Sequence, residues 1–133
     1  MAKLYQIVHK PTFNAKVNIP RIGGEPIEVN FTYQVKDRKE LAKVFDSWKK
    51  EAEAMYEEAK KAEEEGNGFT LEEWAEKEIA LQVKQVKDIV VGWGFEDEFN
   101  DENIELLVST AISVTDAITS SYNEAYTKAR QGN

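Results

Sequence analysis

The chain has 133 residues, with 25 acidic against 17 basic side chains, a net charge of −8 and a pI near 4.8. That balance argues against nucleic acid or an anionic membrane as partner, because both want a basic stripe. The absence of cysteine removes disulfides, thiol catalysis and cysteine-ligated metal together.

A hydrophobic fraction of 41% is too high for a disordered tail. A chain of this length can bury one real core, so the expectation is a single domain over 1–133, β-rich over 1–36 and helical over 37–133. No apolar run approaches the ~18 residues of a membrane span. The start, MAKLYQIVHKP, lacks the apolar region of a signal peptide. The expected setting is therefore soluble and intracellular.

The first third reads as β. Leu4 to Val8 is a short apolar stretch, and Ala15 to Ile19 alternates. Ile27, Val29, Phe31, Tyr33 and Val35 fall on one side of a period-two run, with Glu28, Asn30, Thr32 and Gln34 on the other. That is the pattern of a half-buried strand. Between the alternating runs, Pro20 to Pro26 contains Gly23-Gly24, so residues 15–35 read as a β-hairpin. A lone hairpin is marginal in water and must pack on helices or another strand.

The first helix starts at Asp37, which forms a capping-box pattern with Glu40. Leu41, Phe45, Trp48, Ala52, Met55, Ala59 and Ala62 recur at spacings of four and three. Gly66 ends the helix at the left-handed cap position. A second helix is capped by Thr70 with Glu73, and Phe69 can staple onto Trp74. Its predicted stripe is Leu71, Ala75, Ile79, Val83, Val86 and Val90, and Gly92 stops it.

A third helix starts at Asn100 or Asp101, with Ile104, Val108, Ala111, Thr115, Ile118, Tyr122, Ala125 and Ala129 on its stripe. Seven of the fifteen residues from Val108 to Tyr122 are β-branched, which is poor helix material. Packing must hold that stretch, and a break is expected near Ser113–Thr115. The predicted fold is α+β: an N-terminal β-hairpin or small antiparallel sheet followed by three helices.

Chemistry is sparse. One histidine, His9, and no cysteine cannot build the usual zinc sites. Six acidic residues lie between Glu96 and Glu105, but Phe99 interrupts them and no glycine supplies the turn of a calcium loop. They suit the N-terminal end of a helix dipole instead. No phosphate-binding glycine motif appears and no carboxylate pair stands out. No cofactor, no metal and no enzymatic activity are expected.

What remains is aromatic. Trp93, Phe95 and Phe99 sit among glycines and acids, where aromatic residues serve as protein-contact anchors or plug the core between helices two and three. Trp48 and Met55 on helix one, with Tyr122 and Tyr126 on the last helix, complete the candidate partner-binding set. The charge is uneven. Residues 1–36 carry a net +3 and residues 66–133 a net −8, a polarity able to dock partners or further copies of the chain.

The order of several stretches carries a resemblance. PTFNAKVNIPRIGGEPIEVNFTYQVKDRKEL from Pro11, VVGW at Val90 to Trp93, FNDENIELLV from Phe99 to Val108 and the ending AITSSYNEAYTKARQGN follow one another across nearly the whole chain. Together they resemble the tail assembly chaperones of long-tailed phages. Trp48 to Gly68 is longer and more charged than that family's pattern, and ISVTDAI lacks its expected proline.

The resemblance implies a non-enzymatic assembly factor. Such a factor binds the tape-measure protein, recruits major tail protein, works in the host cell cytoplasm and is absent from the mature virion. It also implies a longer frameshifted product, and a homo-oligomer is a further expectation. The alternative reading from charge alone is an acidic DNA-mimic inhibitor of a nucleic-acid enzyme. The lysines interleaved along helix one count against it.

Overall fold

The computed structural model describes residues 4, 5, 7 and 10–130, the last two by backbone alone. His9, with Gln6 and Val8 of the first apolar stretch, lies outside the described residues. Leu4, Tyr5 and Ile7 are exposed and belong to no strand.

The hairpin forms as its alternation predicts. β1 (Thr12–Ile19) pairs antiparallel with β2 (Ile27–Gln34), from Thr12 opposite Gln34 to Ile19 opposite Ile27. Val17, Ile19, Val29, Phe31 and Tyr33 are buried on one face, and Lys16 and Glu28 pair across the other at 3.3 Å. In the connecting turn only Gly23 takes positive φ, at 76°.

Both capping boxes are present. Asp37 Oδ1 accepts from Glu40 N at 2.8 Å, opening α1 (Arg38–Glu64), and Thr70 Oγ1 accepts from Glu73 N at 3.1 Å, opening α2 (Leu71–Ile89). The Phe69 ring lies 6.5 Å from that of Trp74. Beyond α1, Gly66 N donates to Glu63 O and Asn67 N to Ala62 O, the paired bonds of a Schellman stop.

Gly66 has φ 82°, and a Cβ there would meet nothing within 4 Å. The cost of a side chain is therefore purely conformational. Gly66→Ala is expected to lower stability by about 1 kcal/mol. Urea denaturation reads this directly, and an unchanged midpoint would mean the turn relaxes freely.

The largest departure from the sequence reading follows α2. Val90 to Trp93 do not continue the helix but form β3, which pairs antiparallel with β2 and gives the sheet order β1-β2-β3. Phe31 faces Trp93, Thr32 faces Gly92 and Tyr33 faces Val90. The register skips Val91, a bulge that leaves this residue 40% exposed. Gly94 N extends the pairing to Asn30 O at 2.7 Å, and a Cβ on Gly94 would come within 3.4 Å of that same carbonyl oxygen. The segment read as a helix junction is thus the third strand, set into the stretch predicted to be wholly helical.

The α2 stripe shifts accordingly. Leu71 and Ala75 are exposed, while Val86 and Ile89 reach the core. There are four helices among the described residues, not three. The last predicted helix divides into α3 (Asp101–Val108) and α4 (Ile112–Arg130), with the break at 109–111, ahead of the expected 113–115. Ser109 Oγ donates to Glu105 O and Thr110 Oγ1 to Leu106 O. Such back-bonding to helical carbonyls competes with continuation of the helix.

The core joins the sheet face to α2, α3 and α4 through Phe31, Tyr33, Ile89, Ile104, Ile118 and Tyr122. The long α1 has no buried residue. It meets α2 through polar and aromatic contacts: Trp48 Nε1 donates to Asp88 Oδ2 at 2.7 Å, Lys84 meets Glu51 at 2.7 Å, Lys77 meets Glu58 at 3.1 Å, and the Tyr56 ring lies 5.3 Å from that of Trp74.

Candidate partner-binding surface

The residues proposed from sequence fall in three places. Trp93, Phe95 and Phe99 form one aromatic corner beside Phe31. The Trp93 ring stands edge-on to Phe95 at 5.1 Å and to Phe99 at 5.0 Å, and Phe31 lies 6.2 Å from Trp93 and 6.1 Å from Phe95. Edge-to-face pairs at such spacings are favourable beyond the area they bury. Trp93 Nε1 donates to Asp97 O at 2.8 Å and ties the following loop to β3.

All three rings are partly buried and pack against the core. They close the end of the core and still leave part of their surface to solvent.

The second group lies along α1. Trp48 is half-buried against the core, with its ring 5.4 Å from that of Phe45, and Met55 is half-buried further along. The third group lies under α4. Tyr122 is 1% exposed, and its hydroxyl donates to Gln34 O at 2.9 Å. It is a core residue. Tyr126, half-buried beside it, accepts from Lys36 N at 2.9 Å.

Burial sets the ionisation of the tyrosines in this core. It pushes the Tyr33 hydroxyl up to about 12, and it raises Tyr122 as well, helped by the adjoining Tyr126 hydroxyl. In an unfolded chain both ionise near 10. The folded values are the higher ones, so the stabilisation is fully present below about pH 10 and is lost as pH rises through 12. Stability should fall across that alkaline window, less steeply in Tyr33→Phe. Phenolate absorbance followed alongside circular dichroism checks this; Tyr33 ionising near the unfolded value of about 10 while the fold is intact would contradict it.

A depression of about 220 Å³ opens next to the aromatic corner, with Ile19, Trp93, Phe95, Leu106 and Leu107 among its walls. Leu106 is 66% exposed, and Ile22 in the hairpin turn is 80% exposed. Glu96, Asp97, Glu98, Asp101, Glu102 and Glu105 are all exposed on the loop and on α3. Asn100 caps α3 through Asn103 N at 2.8 Å, and Asp101 pairs with Lys87 at 3.0 Å, so this acidic run builds the helix start as expected.

Leu106 was absent from the sequence-derived set. Its signal was the pair Leu106-Leu107: with Ile104 and Val108 buried, a helix cannot turn both leucines inward.

Among the described residues no group of three histidine, cysteine or acidic side chains could hold a metal ion, and no helix is long and apolar enough to cross a membrane. No buried side-chain nitrogen or oxygen among them lacks a hydrogen-bond partner. The surface thus offers apolar shape and charge.

No curated protein and no solved structure matches the chain. A family model does, along its whole length: residues 1–133 match the model described as phage tail assembly chaperone, and the chain belongs to that family.

Proposed function

We propose that this tail assembly chaperone binds the tape-measure protein through the aromatic corner and brings major tail protein to it. The observation that carries the reading is the depression beside Trp93 and Phe95, with Leu106 exposed at its wall, Arg21 and Asp97 also lining it, and the acidic run from Glu96 to Glu105 exposed on the adjoining loop and on α3. Such a surface suits an amphipathic helix laid into a groove, its apolar stripe on Leu106 and its basic flanks against the acids. A tape-measure protein has long helices that need shielding until the tail closes around them. The acidic exterior would keep the loaded complex soluble.

In this reading the protein is not an enzyme, acts in the host cytoplasm, is left out of the virion and has a longer frameshifted form. Mass spectrometry of infected cells for peptides beyond the stop codon tests the last point. The acidic DNA-mimic reading draws less support, because Lys77, Lys84 and Lys87 form ion pairs that interrupt an anionic face.

The direct test is co-expression with a tape-measure fragment. Leu106→Glu should keep the fold, since the side chain is mostly in water, and weaken co-purification by about tenfold or more, a loss of over ~1.4 kcal/mol. Retention of the fragment at wild-type levels would remove the corner as the binding surface.

A further inference from the structure

A second recess lies at the other end of β1, about 23 Å from the Ile19 end by the rise of a strand. It is larger, about 660 Å³, and sits where the start of β1, the end of β2, the start of α1 and the last turns of α4 meet. Its floor is apolar: Phe13, Val35, Leu41, Ala125 and Tyr126. Its polar lining is mostly basic: Lys10, Lys36 and Arg38 against the single carboxylate of Asp37.

The floor is fixed before anything binds. The Phe13 ring stacks at 5.3 Å on Tyr33 and at 5.8 Å on Tyr122, and stands edge-on to Tyr126 at 6.4 Å. The Tyr126 hydroxyl accepts from Lys36 N and donates to Lys36 O or Tyr122. A preformed wall of this kind spares a ligand the cost of ordering it.

The charge is the informative part. The chain as a whole carries −8, yet three cations converge here. Among the described residues none of the three is in an ion pair; Lys36 Nζ donates to the neutral Gln34 Oε1. The nearby acids stay ionised but are turned to the helix start. Asp37 Oδ1 caps Glu40 N, which holds its carboxyl below the usual range, and Glu40 Oε1 accepts from Asp37 N. An apolar floor with cations in excess over the one lining carboxylate selects an apolar group flanked by anions.

We propose that this recess binds an extended acidic segment of a partner protein. One large apolar side chain of that segment rests on Phe13 and Tyr126, and its neighbouring carboxylates meet Lys10, Lys36 and Arg38. The site is separate from the aromatic corner, so a chaperone with both could hold two different chains at once. It stands or falls independently of the tape-measure reading.

The test is a nitrogen-15 NMR titration of the full chain with a blocked peptide, Glu-Glu-Asp-Leu-Phe-Asp-Glu. The expected shifts concentrate on Thr12, Phe13, Lys36, Leu41 and Ala125. The double variant Lys10→Gln/Arg38→Gln changes two exposed side chains and should fold normally. It should bind about tenfold more weakly, and added salt should weaken the wild type in the same direction. A peptide with serines in place of Leu-Phe should also bind more weakly. No shifts at about millimolar peptide would overturn the proposal. So would equal binding of a lysine-for-glutamate peptide, or unchanged affinity in the double variant. If the same amides move when the protein alone is concentrated, a second copy fills the recess and the partner assignment is wrong.

Discussion

Phe31→Ala is expected to cost about 3–5 kcal/mol, the range for truncating a buried aromatic ring. Phe31 is fully buried, pairs with Trp93 across β2 and β3, and contacts the rings of Tyr33, Trp93 and Phe95. Alanine would leave a cavity where the sheet face meets the aromatic corner. Domains of this size are stable by only about 5–15 kcal/mol, so roughly a fifth or more of the total would go. The melting temperature should fall by roughly 10–20 °C. Thermal and urea unfolding give the number, and a loss below about 1 kcal/mol would show that Phe31 is not where the core is held together.

Trp93→Ala is expected to cost roughly 2–4 kcal/mol, less than a fully buried ring because part of it already faces water. The loss would concentrate in β3, a strand of only four residues at the sheet edge that is tied to the acidic loop by the Trp93 Nε1 bond to Asp97 O. Phe95→Ala should behave alike to a smaller degree. Melting and co-purification must be measured on the same samples. A fall in both supports a corner that is core and contact together. An unchanged melting temperature with the partner lost would make Trp93 a contact residue alone. Survival of both properties would leave the corner without a part in either.

The sequence by itself determined the features that a short window encodes. The hairpin was legible because period-two alternation and a Gly-Gly turn act within some twenty residues. The starts of α1 and α2 were legible because a capping box is closed by a residue three positions on. The helical termination at Gly66 was legible because only its own φ is at stake. The family resemblance came from the order of such stretches.

Other features were decided elsewhere in the chain. Val90 follows Val86 by four residues and so continues the α2 stripe on paper, yet β2 offers Tyr33 and Phe31 as partners and the strand pairing wins. Leu71 fits the stripe and is nevertheless 89% exposed, because nothing packs over the first turn of α2 at that side chain. Tyr122 looked like a contact residue and is buried, since its hydroxyl found Gln34 O on the sheet. The candidate surface shows the same division. Trp93, Phe95 and Phe99 were legible as a cluster because they are neighbours in sequence. The recess between Lys10, Lys36, Arg38 and Tyr126 was not, because its floor and rim come from strand and helix ends that only folding brings together. Local backbone preferences act over a few residues, whereas burial and strand pairing depend on which distant surfaces are available, and that is set only when the whole chain has packed.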